Sequence, residues 1–147
     1  MHQAYEAIME NSRAVRADAD IKGVLLAPMA EKGVEVIIGV VRNPQFGPIM
    51  MFGLGGIFVE VLKDVVFRAL PLQAHDAGEM LDEIKAKAVL KGARGALPVD
   101  REALVDLMLR LSRLCLANQD IAEVDLNPII VYPRGYAIVD ARVILAD

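Results

Sequence analysis

Tryptophan is absent from the 147-residue sequence, and cysteine occurs once, at Cys115. A single thiol cannot form a disulfide within the chain, so stability must come from the core, and a reducing compartment, the cytoplasm by default, is expected. Cys115 lies among apolar residues in LSRLCLAN, which predicts a buried thiol. A chain of this length buries about two-thirds of its unfolded surface in one core, so we expect a single domain over 1–147.

Long apolar runs and basic clusters are also lacking. Hydrophobic residues make up 55% of the chain, yet GVLLAPM and VEVIIGVV fall well short of the roughly 20 residues of a membrane-spanning helix. The first residues, MHQAYEAIMENS, do not resemble a secretory signal. The net charge of −4, without clustered Lys or Arg, argues against a nucleic-acid surface. We therefore expect no membrane and no nucleic-acid partner. The excess apolar surface indicates an interface with a partner subunit, with a missing part of the same enzyme, or with a second copy in a homo-oligomer.

The remaining pattern predicts an α+β fold, a mainly antiparallel sheet with helices on one side. Helical spacing over 3–17 predicts a leading helix within 1–19, which is expected to cover the sheet. Residues 20–73 contain four β-branched or extended segments, and a glycine-rich loop follows the third; the segments are IKGVLLAPM, VEVIIGVVRN, PIMMFGLGG and DVVFRALPL.

Helices return in 74–117 and a hairpin closes the chain in 118–147. The two helices are predicted over 76–90 and 100–116, with Asp76 and Asp100 as their N-caps. The sequence contains no zinc-ligand spacing, no GxSxG and no Ser-His-Asp order. These absences argue against a self-contained hydrolase.

The final hairpin, EVDLNPIIVYPRGYAIVDARVIL, places polar side chains inside apolar strands. Alternation puts Asp125 and Asn127 on one face, and an even-numbered turn would set Asn127 opposite Asp140 and Asp125 opposite Arg142. Clustered carboxylate and amide oxygens are ligands that Mg²⁺ prefers, together with water and nucleotide phosphates. A solvated sheet face with an Asp125–Arg142 ion pair explains the same residues, and spacing alone leaves both interpretations open.

The segment FGPIMMFGLGGIFVE ends a predicted strand in a GxGG loop formed by Gly53, Gly55 and Gly56. Glycines let the backbone approach a ligand, and successive N–H groups can bind an anion. The loop is neither a dinucleotide fingerprint, because Phe58 replaces the third glycine, nor a P-loop, because no Gly-Lys-Ser/Thr follows. Tight turns and sheet curvature explain the glycines equally well.

Two charged residues interrupt other apolar runs. Glu35 in KGVEVIIG must face either water at a sheet edge or a ligand. Arg68 in VVFRALPL can hold phosphate oxygens or pair with Asp64. Neither residue alone distinguishes a binding role from a structural one.

Taken together, GVLLAPMAEKGVEVIIGVVRNPQFGPIMMFGLGGIFVEVLKDVVFRALPL, LKGARG and EVDLNPIIV…VDAR resemble the ATP-grasp part of ADP-forming (NDP-forming) acetyl-CoA and acyl-CoA synthetases. The likeness runs from about residue 5 to residue 145. The same block occurs in acyl-CoA synthetase-like lysine acetyltransferases and, more distantly, in the β subunit of succinyl-CoA synthetase. The resemblance implies that Asn127 and Asp140, with Asp125 beside them, are ligands of Mg²⁺ and the nucleotide.

The same resemblance implies further contacts with ATP or ADP. Glu35 matches the ribose-contacting position, and the LLAPM segment with Pro28 and Met29 would line the adenine pocket; Gly53, Gly55, Gly56 and Arg68 complete the implied nucleotide site. A complete ATP-grasp fold closes two lobes over ATP, and this chain resembles the second, C-terminal lobe. The phosphate-binding lysine, the first lobe, and the CoA-binding and phosphohistidine domains would then come from elsewhere on the same or another chain.

Within such a ligase the expected role is to hold Mg-nucleotide during phosphoryl transfer between ADP/ATP and a phosphohistidine or acyl phosphate on other domains. The alternative is a non-catalytic module that senses nucleotide or associates subunits in an acyltransferase or split synthetase. An upstream first lobe that carries the lysine would favour the first interpretation over the second.

Overall fold

The computed structural model describes residues 2–56 and 63–146. Its helices are α1 (His2–Val15), α2 (Ala74–Glu83) and α3 (Arg101–Ala117), with a short 3₁₀ helix at Ala93–Gly95; its strands are β1 (Val34–Asn43), β2 (Gly47–Leu54), β3 (Val65–Ala69), β4 (Ile121–Val131), β5 (Tyr136–Ile138) and β6 (Ala141–Leu145). Residues 57–62, which carry part of the glycine-rich segment FGPIMMFGLGGIFVE and the two residues after it, lie outside the described ranges.

The six strands form one sheet in the order β3-β2-β1-β4-β5, and β6 also pairs with β4. Every pairing is antiparallel. The predicted α+β fold with a mainly antiparallel sheet is confirmed, and the long strands β1 and β4 lie side by side at its centre.

Alternation along the central strands separates a covered face from an open one. On the covered face, sheet side chains form one core with side chains of α2 and α3. The sheet contributes Val36, Ile38, Val40, Met50, Phe52 and Leu54, and the helices contribute Met80, Leu81, Leu104, Met108 and Leu111. Burying large apolar side chains contributes roughly 1.5–3 kcal/mol each before opposing terms, so this layer stabilises the fold. Within residues 2–56 and 63–146, no helix packs on the other face of the sheet, the open face, which extends from β3 to β6.

Two expectations about the first 33 residues are wrong. Helix α1 has no buried residue, so it does not cover the sheet. The segment 21–29 is not a strand, because both edges of β1 are already paired, with β2 and with β4. Its apolar side chains consequently face outward, and Leu25 and Met29 are 93% and 95% exposed.

The helix predicted over 76–90 is shorter and begins earlier. Asp76 is not the N-cap: it lies in the first turn of α2, and its carboxylate accepts a hydrogen bond from the backbone N–H of Gln73, the capping residue, at 2.8 Å. The helix ends at Glu83 because Ile84 is extended, with ψ of 141°. The next free N–H groups, of Lys85 and Ala86, both donate to the buried Asp64 carboxylate at 2.8 Å. Asp64 therefore caps the turns after α2 from a distant part of the chain.

Helix α3 agrees with its prediction. The Asp100 side chain accepts a hydrogen bond from the Ala103 N–H at 3.0 Å and is the N-cap. Cys115 is buried, as predicted, and burial raises the pKa of its thiol. Among the described helices, none combines the length and apolar character needed to cross a bilayer.

Candidate functional site

The strands of the final hairpin pair in the register that an even turn predicts. Four residues, 132–135, separate the paired residues Val131 and Tyr136. Farther along, Asp125 is the partner of Arg142, and the Asn127 backbone N–H donates to the Asp140 carbonyl oxygen at 3.1 Å. The predicted juxtaposition of these residues is confirmed, although their role as metal ligands stays a prediction.

The polar side chains of β4 belong to the open face of the sheet. Val124 and Leu126 are buried on the helix side, so Asp125 and Asn127 project the other way. At Asn127 the pairing of β4 with β1 shifts register, because Ile38 pairs with Leu126 whereas Val36 pairs with Ile129. This bulge lets the strand bury Ile129 while Asn127 stays exposed.

Negative charge accumulates around Asp125. Burial raises the pKa of its carboxyl group; the nearby Glu123 carboxylate raises it further, Arg142 lowers it, and Asp140 raises it. Asp140 is exposed, but this effect shows that its charge lies close to Asp125. The open face of the hairpin therefore carries three carboxylates, of Glu123, Asp125 and Asp140, near the single positive charge of Arg142.

A second group of predicted residues meets at the end of the sheet where β1 begins and β2 ends. Glu35 accepts a hydrogen bond at its carbonyl oxygen from the Gly55 N–H, at 2.8 Å. Gly56 adopts a positive φ of 61°, and a Cβ there would lie 3.5 Å from the Glu35 carboxylate. With Val89, these residues line a pocket of about 350 Å³. Nothing in the sequence indicates that Val89 lines this pocket, because Val89 lies in the irregular turns after α2.

Gly53 has a packing role in the structure. A Cβ at this position would lie 2.8 Å from Cγ1 of Val65 and 2.9 Å from the Asp64 carbonyl oxygen. The close approach of β3 therefore requires glycine. This requirement explains the residue without a ligand. Gly55 is similar, since a Cβ there would lie 3.0 Å from Cβ of Glu35, and of the three glycines only Gly56 lies beside the Glu35 carboxylate.

Arg68 does not join the other predicted residues. The cross-strand partner of Arg68 is Met50 of β2. Met50 is buried under the helices, so Arg68 lies on the covered face. Its guanidinium forms ion pairs with Glu83 and, at 3.8 Å, with Glu79, and the hydrogen bond to Glu83 raises its pKa. Pairing with Asp64 was wrong, because the Asp64 carboxylate instead binds the backbone after α2. The ion pairs with α2 hold Arg68 away from the open face.

Pro28 and Met29 lie in the exposed segment before β1. They line neither the pocket beside Glu35 nor the groove beside Asp125. Met29 is 95% exposed. Their predicted place in an adenine pocket therefore has no counterpart in the contacts of the described residues.

The centre of the open face is apolar. A groove of about 350 Å³ runs beside Asp125 and Asn127, and its other side is lined by Ile37, Val41, Ile49, Met51 and Phe67. The charge of this wall is confined to the β4 side, because β1, β2 and β3 contribute apolar residues. No group of three or more His, Cys, Asp or Glu side chains in 2–56 and 63–146 is placed to hold a metal. Two carboxylates and one amide would need water or phosphate oxygens to complete a coordination shell.

Comparison with known proteins identifies the fold. The sequence profile of the ATP-grasp domain matches residues 1–145, and the chain belongs to this family. Its similar proteins include ADP-forming acetate–CoA ligases. The chain is 54% identical over 148 residues to the β subunit of acetate–CoA ligase [ADP-forming] II from Pyrococcus furiosus, covering 99% of this chain and 63% of that protein.

Longer relatives and solved structures agree. The ADP-forming acetate–CoA ligase I of Archaeoglobus fulgidus is 46% identical over 147 residues, 100% of this chain and 22% of that protein. Acetyl-coenzyme A synthetase 1 of Ca. Korarchaeum cryptofilum, in complex with coenzyme A, acetyl-coenzyme A and a phosphorylated phosphohistidine segment, has a TM-score of 0.91 at 50% identity, covering 99% of this chain and 65% of that one. Its complex with coenzyme A and Ca-AMPCP has a TM-score of 0.88 at 51% identity, covering 98% and 63%.

Proposed function

We propose that this chain supplies one wall of the nucleotide site in an ADP-forming acyl-CoA synthetase, the second lobe of an ATP-grasp fold. The chain is similar to acetate–CoA ligase subunits, and it spans 63% of the length of the Pyrococcus furiosus relative. The missing lobe and the CoA-binding and phosphohistidine domains are therefore assigned to other segments or chains. The acyl group is left open between acetate and larger acids.

The observation that supports this proposal most is the register of β4 against β6. It brings the side chains of Asp125, Asn127 and Asp140 to one open face, with the Glu35–Gly55–Gly56 pocket at the end of the same sheet. A solvated face would not need carboxylates brought together against their repulsion. A site for a cation and phosphates does need them.

The donor set fits Mg²⁺. Asp125 and Asp140 offer carboxylate oxygens and Asn127 an amide oxygen. Asp125 and Asn127 lie on β4, Asp140 directly precedes β6 and is hydrogen-bonded to Asn127 through its backbone, and the open groove leaves room for phosphate oxygens. Bound Mg²⁺ would neutralise phosphate charge and bring the reacting oxygens into line. The chain's own share is positioning: the bulge at Asn127 presents its amide, and the apolar groove beside Asp125 excludes water from part of the wall.

The nucleoside would lie toward Glu35, Gly55 and Gly56, at the end of the sheet. By similarity to ATP-grasp proteins, Glu35 would contact the ribose. Gly55 and Gly56 would let the nucleotide approach the backbone beside Glu35. No protein nucleophile is required of this chain, because phosphoryl transfer depends on positioning and charge neutralisation. The phosphohistidine segment named in the Ca. Korarchaeum cryptofilum complex is the kind of partner that would approach the open face.

Thermal unfolding with and without Mg-ADP tests this function. A ligand that binds only the folded state raises the melting temperature by mass action, so Mg-ADP should raise it, with millimolar ligand required because one wall binds weakly. Asn127→Ala and Asp140→Ala should reduce the rise, whereas Asp106→Ala, a carboxylate on the surface of α3, should leave it unchanged. An unaltered melting temperature in saturating Mg-ADP, when the chain joined to a first lobe responds, would favour a subunit-association module instead.

A further inference from the structure

Three basic residues lie in the six strands of the sheet, and only Arg142 lies on the open face. Arg42 is turned to the helix side, where it donates hydrogen bonds to the carbonyl oxygens of Cys115 at 2.9 Å and Ile121 at 3.1 Å. Arg68 is paired with the glutamates of α2. Both therefore have structural partners in the described chain, and Arg142 has a different environment.

Arg142 shares the open face with the proposed metal ligands. It is the cross-strand partner of Asp125, and partners in a sheet project to the same side. Its one ion pair among the described residues is with Glu123, at 3.5 Å between Nη2 and Oε1. The two side chains are 65% and 42% exposed, and such exposed pairs contribute little to stability. The guanidinium is thus positioned but free to exchange its partner.

The position of Arg142 along the sheet indicates which part of a ligand it meets. Along β1, Glu35 comes first, Gly39 pairs with Asp125, and Val41 pairs with Glu123. Because Arg142 pairs with Asp125, it is level with Gly39, and at about 3.4 Å per residue Glu35 and Gly39 are roughly 14 Å apart. A nucleotide with its nucleoside at Glu35 and its metal at Asn127 would therefore reach Arg142 only beyond its terminal phosphate.

Resting on the proposed function, we infer that Arg142 binds the phosphoryl group in transit, on the side of the metal away from the nucleoside. Guanidinium groups hold phosphate oxygens with two parallel charge-assisted hydrogen bonds, which are stronger than an exposed ion pair. The phosphoryl group would replace Glu123 as the partner of Arg142. Glu123 therefore holds the guanidinium in place until phosphate arrives, and competes with it.

Titration of inorganic phosphate into the intact chain saturated with Mg-ADP tests this inference, with binding measured by calorimetry. Arg142→Gln should weaken phosphate binding about tenfold or more and change the affinity for Mg-ADP less than about twofold. Arg142→Lys should restore part of the loss, because charge remains but the planar pair of donors does not. Arg134→Gln, which removes an exposed arginine in the turn of the same hairpin, is the matched control and should have no effect.

Glu123→Gln gives a second measurement with the opposite sign. Removing the competing carboxylate should strengthen phosphate binding by about two- to fivefold, and this gain should disappear when Arg142→Gln is also present. Mg-ADP binding without phosphate binding, or phosphate binding that is insensitive to Arg142→Gln, would overturn the inference while leaving the proposed function standing. Equal weakening of Mg-ADP and phosphate would also overturn it, and failure of the wild-type chain to bind Mg-ADP would remove both.

Discussion

The backbone N–H of Asn127 donates to the carbonyl oxygen of Asp140 at 3.1 Å, across the two strands of the final hairpin. This bond sets the side chains of two residues 13 positions apart in the sequence on one face of the sheet. It continues the register in which Asp125 lies opposite Arg142. The candidate site therefore depends on the backbone of β4 and β6, and its chemistry can be altered by substitution without changing strand pairing.

Asp125→Asn should stabilise the chain at neutral pH in the absence of Mg²⁺. Burial and the Glu123 and Asp140 carboxylates raise the pKa of Asp125, so the folded state holds this proton more tightly than the unfolded state. The resulting stability is full below the unfolded pKa, about 3.9, and is lost as the pH rises through the folded pKa. The variant should therefore exceed the wild type in unfolding free energy at pH 7, by less than about 1 kcal/mol, and the difference should shrink toward pH 4.

Urea melts from pH 4 to pH 7 measure this difference, and adding Mg-ADP should reverse it because the wild-type carboxylate then has a cation. A variant that is less stable than the wild type at neutral pH without metal would show that Asp125 is held by favourable partners, and that repulsion is not its dominant environment.

Asp100→Asn should have the opposite pH dependence. Hydrogen bonds from the backbone N–H groups of Gly135 and Ala103 lower the pKa of Asp100. Its contribution is present above the unfolded pKa and is lost as the pH falls through the folded pKa. The variant should melt a few degrees lower at pH 7, because Asn can still cap the helix but its NH₂ group cannot accept the hydrogen bond from the Gly135 N–H, and the gap should close in acid. A gap that stays constant between pH 7 and pH 3 would contradict this explanation.

Two glycine substitutions should change stability in opposite directions. Gly53→Ala places a Cβ 2.8 Å from Val65 Cγ1 and 2.9 Å from the Asp64 carbonyl oxygen, and such overpacking costs about 1–3 kcal/mol. Gly78→Ala in α2 meets no atom within 4 Å and should stabilise the helix by about 0.5–1 kcal/mol. Chemical denaturation of both variants checks the pair, and equal tolerance of the two would mean that β3 does not approach Gly53 closely.

Removal of the Asp64 carboxylate should loosen the turns after α2. Asp64 is 4% exposed and binds the N–H groups of Lys85 and Ala86; leaving both donors buried without a partner costs about 1–3 kcal/mol each. Asp64→Ala should therefore lower the unfolding free energy and speed hydrogen exchange at Lys85 and Ala86. Asp106→Ala, whose exposed carboxylate pairs with Arg110, is the control and should change neither measurement.

The parts of this molecule that were predictable from sequence depend on local periodicity. Alternation in β4 and an even turn predict the partners of Asp125 and Asn127, because strand register follows from residue count once the turn is known. The N-cap at Asp100 was equally local. The side of the sheet on which Arg68 lies was not predictable, because that depends on which face the helices cover.

Other errors arise from competition between segments of the chain. The apolar segment 21–29 has strand character, yet β2 and β4 occupy both edges of β1. The end of α2 at Glu83 is set by Ile84 and by Asp64, which lies 20 residues before Ile84 in the sequence. Such tertiary partners override local propensity, and no short motif indicates them.

Nuclear magnetic resonance of the ¹⁵N-labelled chain during titration with Mn-ADP tests the central claim most directly. Mn²⁺ takes the oxygen ligands that suit Mg²⁺, and its unpaired electrons broaden the signals of nearby amides. The account predicts that the amides of Asp125, Leu126, Asn127, Asp140 and Ala141 broaden first, and that excess Mg-ADP reverses the effect. Preferential broadening at the acidic surface of α2, around Glu79 and Glu83, with the β4 and β6 amides unaffected, would contradict it.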